Sequence, residues 1–272
     1  MADLIFLKLG GSVLTDKTRP EALDEEVLGR VAAGVVAFLR GNPELHLLVA
    51  HGGGSFGHHW ASVYQTHQGV HDARGWEGVT RVADAMSRLN REVVQHLLAA
   101  GVNAISVQPS ASALASGGVL ESMAVEVVTH YLQAGLVPVL YGDVVFDRRQ
   151  GAAIISTEAL FAFLAPLLRP GRVVLAGEPG VYTADPRLDP RAQHIAVVDE
   201  SNIEQVMQQT AGSHGVDVTG GMASKVATMW QLVMARDDLE VLLVGSDEAS
   251  LAAALDGRIL GTGTRICRRA ER

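Results

Sequence analysis

Short apolar runs alternate with longer segments of helical periodicity along nearly the whole chain. The runs are rich in Val, Leu and Ile and predict buried strands at residues 4–9, 46–50, 104–107, 137–141, 173–176 and 241–244. The segments between them predict helices over residues 24–39, 76–99, 125–133, 157–168, 201–208 and 222–235. This alternation predicts an α/β fold in which helices cover both faces of a mostly parallel sheet.

Two local features refine this outline. Gly142 and Asp143 separate the apolar residues 139–141 from residues 144–146, and this pattern predicts a β-hairpin. A break at residues 168–171 predicts a seam between an N-terminal lobe, 1–170, and a C-terminal lobe, 171–272. Because α/β chains of 272 residues commonly form one domain, we expect both lobes to belong to a single domain over 1–272.

Composition and charge favour a soluble protein that acts on a small molecule. Hydrophobic residues make up 48% of the chain and charged residues 19%, which is enough apolar surface for a core. The formal net charge of -8 argues against nucleic-acid and anionic-membrane partners, which need a clustered basic face. The single cysteine, Cys267, excludes an internal disulfide and fits a reducing compartment. No apolar run is long enough for a membrane span, so we expect a cytoplasmic protein.

Glycine clusters follow predicted strands, where ligands collect in parallel sheets. One lies at residues 8–12, a second at residues 51–58, and a third opens a predicted helix at residues 219–225. Glycine lets backbone N–H groups surround phosphate oxygens, and a helix N-terminus adds a favourable partial charge. Any one cluster could be only a tight turn, but three at such positions together predict a phosphate site.

Lysine usage supports this interpretation. Of the 22 basic residues, 19 are arginine and only three are lysine: Lys8, Lys17 and Lys225. Two of the lysines lie inside glycine clusters and the third follows closely. The compact ammonium can follow a transferring phosphoryl group, whereas guanidinium fixes a plane. No segment has the spacing of a P-loop, a protein-kinase signature or a GxGxxG fingerprint.

Taken together, these blocks resemble the amino acid kinase superfamily, and most closely its isopentenyl phosphate kinase branch. The resemblance covers nearly the whole chain and rests on blocks in family order at residues 8–12, 15–17, 51–58, 142–144, 154–156, 180–182, 185–186 and 217–225. The second histidine of the 51–58 block, His58, distinguishes members that accept phosphates or phosphonates. Glu158 stands where the family pattern has aspartate, and residues 176–179 replace the usual threonine-aspartate entry to the 180–182 loop.

The resemblance implies an αβα sandwich, usually a homodimer, that binds ATP and Mg²⁺ in the C-terminal lobe and a small phosphate acceptor in the N-terminal lobe. The implied catalytic residues are Lys8, Lys17, His58 and Lys225. The implied nucleotide site comprises Lys8, Gly10, Gly11, Ser12, Gly54, Gly177, Gly180, Val181, Tyr182, Asp185, Gly220 and Lys225. The implied acceptor site comprises Gly53, Gly54, His58, Gly142, Asp143, Ile155 and Ser156. No residue is assigned as a metal ligand, although Asp143 could position substrate or magnesium.

Three further patterns have simpler interpretations. His58, His59, His67 and His71 match no familiar metal spacing, so we expect ordinary histidines. Asp147 is expected to finish a turn. The helical stripe of Val79, Val82, Met86, Leu89 and Val93 is expected to be mostly core, with an exposed end that could border an isoprenoid tail.

The implied reaction is the ATP-dependent phosphorylation of isopentenyl phosphate to isopentenyl diphosphate. A fosfomycin-type phosphonate kinase is the nearest alternative. A carboxylate kinase for an amino acid is less favoured, because no motif for an α-amino group is evident. A non-catalytic nucleotide-binding or storage protein would share the fold, but the three retained lysines argue against it.

Overall fold

An eight-stranded sheet runs through the centre of the molecule in the computed structural model, which describes residues 4–16, 18–177, 179–186, 188–210 and 221–269. From one edge to the other, its strands are β12 (Val197–Val198), β14 (Gly263–Ile266), β13 (Glu240–Val244), β9 (Arg172–Ala176), β1 (Leu4–Leu9), β2 (His46–His51), β6 (Val137–Tyr141) and β3 (Ala104–Ser106). Neighbouring strands are parallel except β13 and β14, which are antiparallel.

Helices cover both faces of this sheet. The longer ones are α2 (Glu25–Gly41), α3 (Gly54–Tyr64), α4 (Ala73–Ala99), α6 (Val125–Gln133), α7 (Thr157–Leu168), α8 (Ile203–Thr210), α9 (Gly221–Ala235) and α10 (Glu248–Leu255), and two single turns are α1 (Gly11–Leu14) and α5 (Pro109–Ser112). Side chains alternate along β1, so that Leu4 and Phe6 pack on the side of α6 to α9. Ile5, Leu7 and Leu9 pack on the side of α2, α10 and the end of α4. The predicted fold class is therefore confirmed.

A second, four-stranded sheet lies next to α3 and the first half of α4. Its order is β5 (Val119–Met123), β4 (Ala113–Ser116), β7 (Asp143–Asp147) and β8 (Gly151–Ile155). Phe56, Met86 and Val144 contribute to a small core between these elements. A two-stranded ribbon of β10 (Val181–Tyr182) and β11 (His194–Ile195) follows β9 along the chain.

The hairpin predicted around Gly142 is wrong. Residues 139–141 belong to β6 of the large sheet, whereas β7 starts a different sheet and pairs antiparallel with β8. The Gly142 amide donates a hydrogen bond to the His51 carbonyl, which extends the pairing of β6 with β2 by one residue before the chain leaves the large sheet. The actual hairpin turns at residues 148–150, where Asp147 accepts hydrogen bonds from the backbone amides of Arg149 and Gln150. Asp147 thus finishes a turn, as predicted.

The strand order reverses between β1 and β9. After β1 the chain adds β2, β6 and β3 on one side, and after β9 it adds β13 and β14 on the other. In open α/β sheets such a switch point opens a crevice beyond the carboxyl ends of the strands, and ligands bind there. No helix in the described ranges is long and apolar enough to cross a membrane.

Candidate active site

Glycine loops meet at the carboxyl edge of the large sheet. The Gly10 amide donates to the Ala176 carbonyl at 2.8 Å, and the Gly177 amide donates to the Val244 carbonyl at 3.0 Å. On the other side of β1, the Gly52 amide donates to the Leu9 carbonyl at 3.0 Å. These bonds extend the sheet beyond its last residues and hold the loops after β1, β2 and β9 side by side at the switch point.

Two of these loops interlock so closely that only glycine fits. A Cβ on Gly11 would lie 2.2 Å from the Gly54 nitrogen, and a Cβ on Gly54, whose φ is +49°, would lie 2.1 Å from Thr15 Oγ1. Thr15 Oγ1 donates to the Gly11 carbonyl at 2.7 Å and accepts from the Ser55 amide at 2.9 Å. The Thr15 hydroxyl therefore ties the first glycine loop to the start of α3, a role that the sequence motif alone did not reveal.

Lys8 and Glu158 form an ion pair on the face of the sheet covered by α7 and α9. Lys8 Nζ donates to Glu158 Oε1, and each side chain is only 13% exposed. Burial would raise the pKa of the Glu158 carboxyl, but the charges of Lys8 and Lys225 and the hydrogen bond from Lys8 hold that pKa below its usual range. Glu158 is thus an ionised carboxylate that interacts with two of the three lysines. The sequence identified this residue only as a departure from the family aspartate.

Lys225 lies at the start of the second turn of α9, which packs against α7, and its charge acts on Glu158. The helix begins at Gly221, whose φ is +65°. Two lysines near one carboxylate leave a net positive charge at the carboxyl edge of the sheet, which suits phosphate oxygens. Lys17 and Gly220, both predicted in the site, lie outside the described residues.

His58 lies one turn inside α3, the helix that starts directly after β2. The Phe56 and Gly57 amides donate to the Gly53 carbonyl at 3.1 Å, so the helix begins within the glycine cluster. His58 is half-buried, and its Cδ2 would lie 3.5 Å from a Cβ on Gly53. Gly53 and His58, both expected in the acceptor site, are therefore adjacent. A helix N-terminus at this edge also favours an anion.

His51, the first residue of the same sequence block, is a buried structural residue. Its Nδ1 donates to the Gly52 carbonyl at 3.1 Å, its Nε2 accepts from Asn90 Nδ2 at 3.2 Å, and its ring stacks on Tyr141. Complete burial lowers its pKa to about 4. The ring is therefore neutral at neutral pH and anchors the end of β2 to α4.

Three of the predicted acceptor residues, Asp143, Ile155 and Ser156, lie at the ends of β7 and β8 and have structural contacts of their own. Asp143 is buried and accepts from the Ser110 and Val144 amides at 3.0 and 2.9 Å, and burial raises its pKa to about 6. It pairs across the sheet with Ile155, whose side chain lies in the core. Ser156 Oγ accepts from the Ala159 amide and caps α7.

The predicted nucleotide residues that follow β9 lie on the other side of the switch point. Gly177 has a φ of +117°, and a Cβ there would lie 2.4 Å from Val13 Cγ2. The Val181 amide donates to Thr264 Oγ1 at 2.7 Å, and Tyr182 packs on the His194 ring. The Asp185 carbonyl accepts from the Leu188 and Asp189 amides in the following turn. The ribbon that carries the 180–182 loop is thus fastened to β14.

The other predicted patterns have ordinary environments. Within the described ranges, no group of three or more His, Cys, Asp or Glu residues is arranged to hold a metal ion. His59 packs edge-on against Trp60, and His67 contacts Gln68. Val82, Met86, Leu89 and Val93 are buried, so the α4 stripe is mostly core, as predicted.

Comparison with known proteins identifies the family of this chain. The amino acid kinase family matches residues 3–244. The chain is 34% identical to an isopentenyl phosphate kinase from Methanothermobacter thermautotrophicus, over 97% of this chain and 98% of the relative. It is 40% identical to one from Haloferax volcanii, over 84% of this chain and 88% of the relative.

Solved structures give the same result. An X-ray structure of an isopentenyl phosphate kinase superposes with a TM-score of 0.79 at 30% identity, covering 97% of this chain and 99% of that one. A product complex of the T. acidophilum isopentenyl phosphate kinase gives a TM-score of 0.73 at 25% identity, covering 97% of this chain and 99% of that one. The chain therefore belongs to the amino acid kinase family, on its isopentenyl phosphate kinase branch.

Proposed function

We propose that this protein transfers the γ-phosphoryl group of ATP to isopentenyl phosphate, giving isopentenyl diphosphate and ADP. The observation that carries the proposal is the pair of lysines around Glu158 beside interlocked glycine loops at the switch point of the sheet. Positive charge and backbone amides are what a phosphoryl transfer between two anions requires. The relatives named isopentenyl phosphate kinases support this acceptor over a phosphonate or an amino acid.

We propose that ATP binds at this site as its magnesium complex. The Gly10–Gly11 turn and Gly177 hold their loops close together at the carboxyl edge of the sheet, because side chains there would clash with the neighbouring loop. This edge is where a nucleotide phosphate would bind. Lys8 and Lys225 supply the charge for the β- and γ-phosphates, and Gly180, Val181, Tyr182 and Asp185 would line the nucleotide. Mg²⁺ commonly binds through substrate phosphates and keeps several waters, so it would arrive with ATP and neutralise charge on the phosphates.

The acceptor needs no separate general base. A phosphate monoester has a second pKa near ~6, so at neutral pH its oxygen is already a nucleophile. In the proposed step this oxygen forms a bond to the γ-phosphorus while the bond to the β-phosphate oxygen breaks and ADP leaves. His58 and Gly53 would hold the acceptor phosphate at the start of α3, Lys17 would neutralise charge on the transferring group, and Lys225 would act on the leaving side.

We also infer that the working form is a cytoplasmic homodimer. The branch resemblance supports this, and a pair of exposed aromatic side chains is consistent with it: Trp76 and Phe146 stack with ring centroids 6.4 Å apart while 42% and 52% exposed. Stacked aromatic rings that remain open to water are common where another protein surface packs. Sedimentation analysis of the purified protein reads the oligomeric state directly.

Phosphorus NMR tests the chemistry. Purified protein with Mg²⁺, ATP and isopentenyl phosphate should lose the monophosphate signal and gain a diphosphate signal in step with ADP. If ADP appears with inorganic phosphate alone, the protein is an ATPase and the acceptor is wrong. If nothing changes with this or any other phosphate acceptor, the chain binds nucleotide without catalysis.

A further inference from the structure

The described residues of the stretch 15–23, which are 15–16 and 18–23, form a loop, here called the strap, that lies over the start of α3. The Thr15 and Leu23 backbones form a bridge, and the Asp16 amide donates to the Ala22 carbonyl at 2.9 Å. The Ala22 amide donates to Ser55 Oγ at 3.3 Å and the Glu21 amide to the Ser55 carbonyl at 3.3 Å. Lys17 belongs to the strap by sequence, and the described residues on both sides of it are held by these bonds.

Glu21 connects the strap to two helices. Its Oε1 accepts from Trp60 Nε1 on α3 at 2.5 Å, and its Oε2 accepts from Arg88 Nη1 on α4 at 2.7 Å. Arg88 also pairs with Asp84 on its own helix, and the Arg81 guanidinium lies 5.8 Å from the Trp60 ring centre. The Arg88 hydrogen bond outweighs burial and holds the pKa of Glu21 below its usual range. The carboxylate is therefore ionised and has a charged partner on α4.

The backbone at Glu21 is unusual. Among the described non-glycine residues, only Glu21, Gln65 and Arg169 have a positive φ, and the last two are C-caps of α3 and α7, where a left-handed residue is expected. Glu21, at φ 52°, is not at the end of a helix. A strained residue of this kind persists where surrounding contacts hold it, and such positions cluster at functional sites.

We propose that Glu21 is a positioning residue for phosphoryl transfer, which fixes the strap residues on both sides of Lys17 relative to the helix that carries His58. This inference rests on the proposed function, in which Lys17 acts on the transferring group and His58 on the acceptor. Trp60 lies two residues after His58 on α3, so one carboxylate connects the strap to the helix that carries His58. Loss of the carboxylate should release the strap without disturbing the nucleotide loops across β1.

Proteolysis tests the strap without any need for turnover. Trypsin cleaves after Lys17, whereas the bond after Arg19 is protected by Pro20. Glu21→Ala should raise the rate of cleavage after Lys17 several-fold in the native protein, and Glu21→Gln should raise it less because the amide oxygen still accepts from Trp60. The matched control is Glu26→Ala, which removes the exposed ion pair of Glu26 with Arg30 on α2 and should leave this rate unchanged.

Kinetics test the consequence for catalysis. Glu21→Ala should lower kcat about tenfold or more, equivalent to ~1.4 kcal/mol, while the KM for ATP changes less than twofold. In a Lys17→Ala background, measured by single turnover, the same change should have little further effect, because a residue that acts through Lys17 has nothing left to position. Arg88→Gln, which removes the charged partner of Glu21, should reproduce part of this loss of kcat.

The outcomes separate this inference from the proposed function. Wild-type cleavage and kcat in Glu21→Ala would overturn the positioning role, as would a loss of kcat that is equally large without Lys17. A fall in melting temperature far beyond that of Glu26→Ala, with both KM values raised, would assign Glu21 to general stability and also overturn it. Absence of turnover in the wild-type protein would refute the proposed function, and the proteolysis comparison would then stand alone as the test of the strap.

Discussion

At the scale of single residues, Glu158 shows how a departure from a family pattern can gain a physical explanation. By sequence it stood only where an aspartate is usual, but in the structure it pairs with Lys8 and lies within the field of Lys225. Two ammonium groups at a phosphate site repel each other before substrate binds, and an ionised carboxylate between them offsets this cost. Glu158 therefore organises the lysines that the sequence did identify.

His58 gives the first prediction at this scale. A side-chain amide can donate a hydrogen bond at similar reach but cannot become charged, so His58→Gln should keep more activity than His58→Ala. Loss of a charge-assisted bond to a bound anion is worth about 1.5–3 kcal/mol, or roughly ten- to a hundredfold in kcat/KM for the acceptor. Steady-state kinetics and ATP affinity measure both effects, and ATP affinity should barely change. Unchanged acceptor kinetics in His58→Ala would remove His58 from the site.

His51 gives a prediction for the pH dependence of stability. Its pKa is about 4 in the folded protein and ~6.5 in an unfolded chain, so the unfolded state binds more protons between these values. The free energy of unfolding should therefore fall as the pH is lowered through this range, by about 2 kcal/mol from about pH 7 to about pH 5 for this residue alone.

The variant His51→Gln stays neutral and isolates this contribution. At neutral pH it should be less stable than the wild type, because the stacking on Tyr141 and the bond from Asn90 are altered. Near pH 5 that difference should shrink by about 2 kcal/mol. Urea unfolding at both pH values measures it, and a difference that is the same at both would show that His51 is not held neutral.

At the scale of elements, the interlocked glycine loops predict opposite effects of one substitution at two positions. Gly54→Ala forces a Cβ to within 2.1 Å of Thr15 Oγ1 at a positive φ, so it should cost about 2 kcal/mol or more and separate the two loops. Gly29→Ala, on the exposed side of α2 with open space around it, should stabilise the protein by about 0.5–1 kcal/mol. Equal effects on thermal unfolding at both sites would contradict the interlock.

Elements with a clear period were predictable, and those defined by distant partners were not. The bounds of β1, β6, α6 and α7 agree with the predictions, because each is a long apolar or amphipathic segment with clear ends. The hairpin around Gly142 failed because sequence spacing cannot show that β6 and β7 belong to different sheets. The contacts of Thr15 and Glu21 were equally hidden, since each joins residues more than thirty positions apart.

At the scale of the whole molecule, one sheet brings together two halves of the site from distant parts of the chain. β1 pairs with β2 on one side and β9 on the other, so the loops that follow all three meet at one crevice. By sequence alone, the glycine clusters at residues 8–12 and 51–58 could have been unrelated turns. They follow neighbouring strands at a switch point because of the topology of the sheet. The alternation of helices and strands predicted the class of that topology but not its strand order.

A comparison of acceptors under one set of conditions tests the proposed reaction. The values of kcat/KM with ATP and Mg²⁺ should be determined for isopentenyl phosphate, dimethylallyl phosphate, fosfomycin and acetylglutamate. We expect kcat/KM for isopentenyl phosphate to be at least tenfold above the values for fosfomycin and acetylglutamate, equivalent to about 1.4 kcal/mol or more of preferential transition-state binding. A clear preference for fosfomycin or acetylglutamate would contradict it.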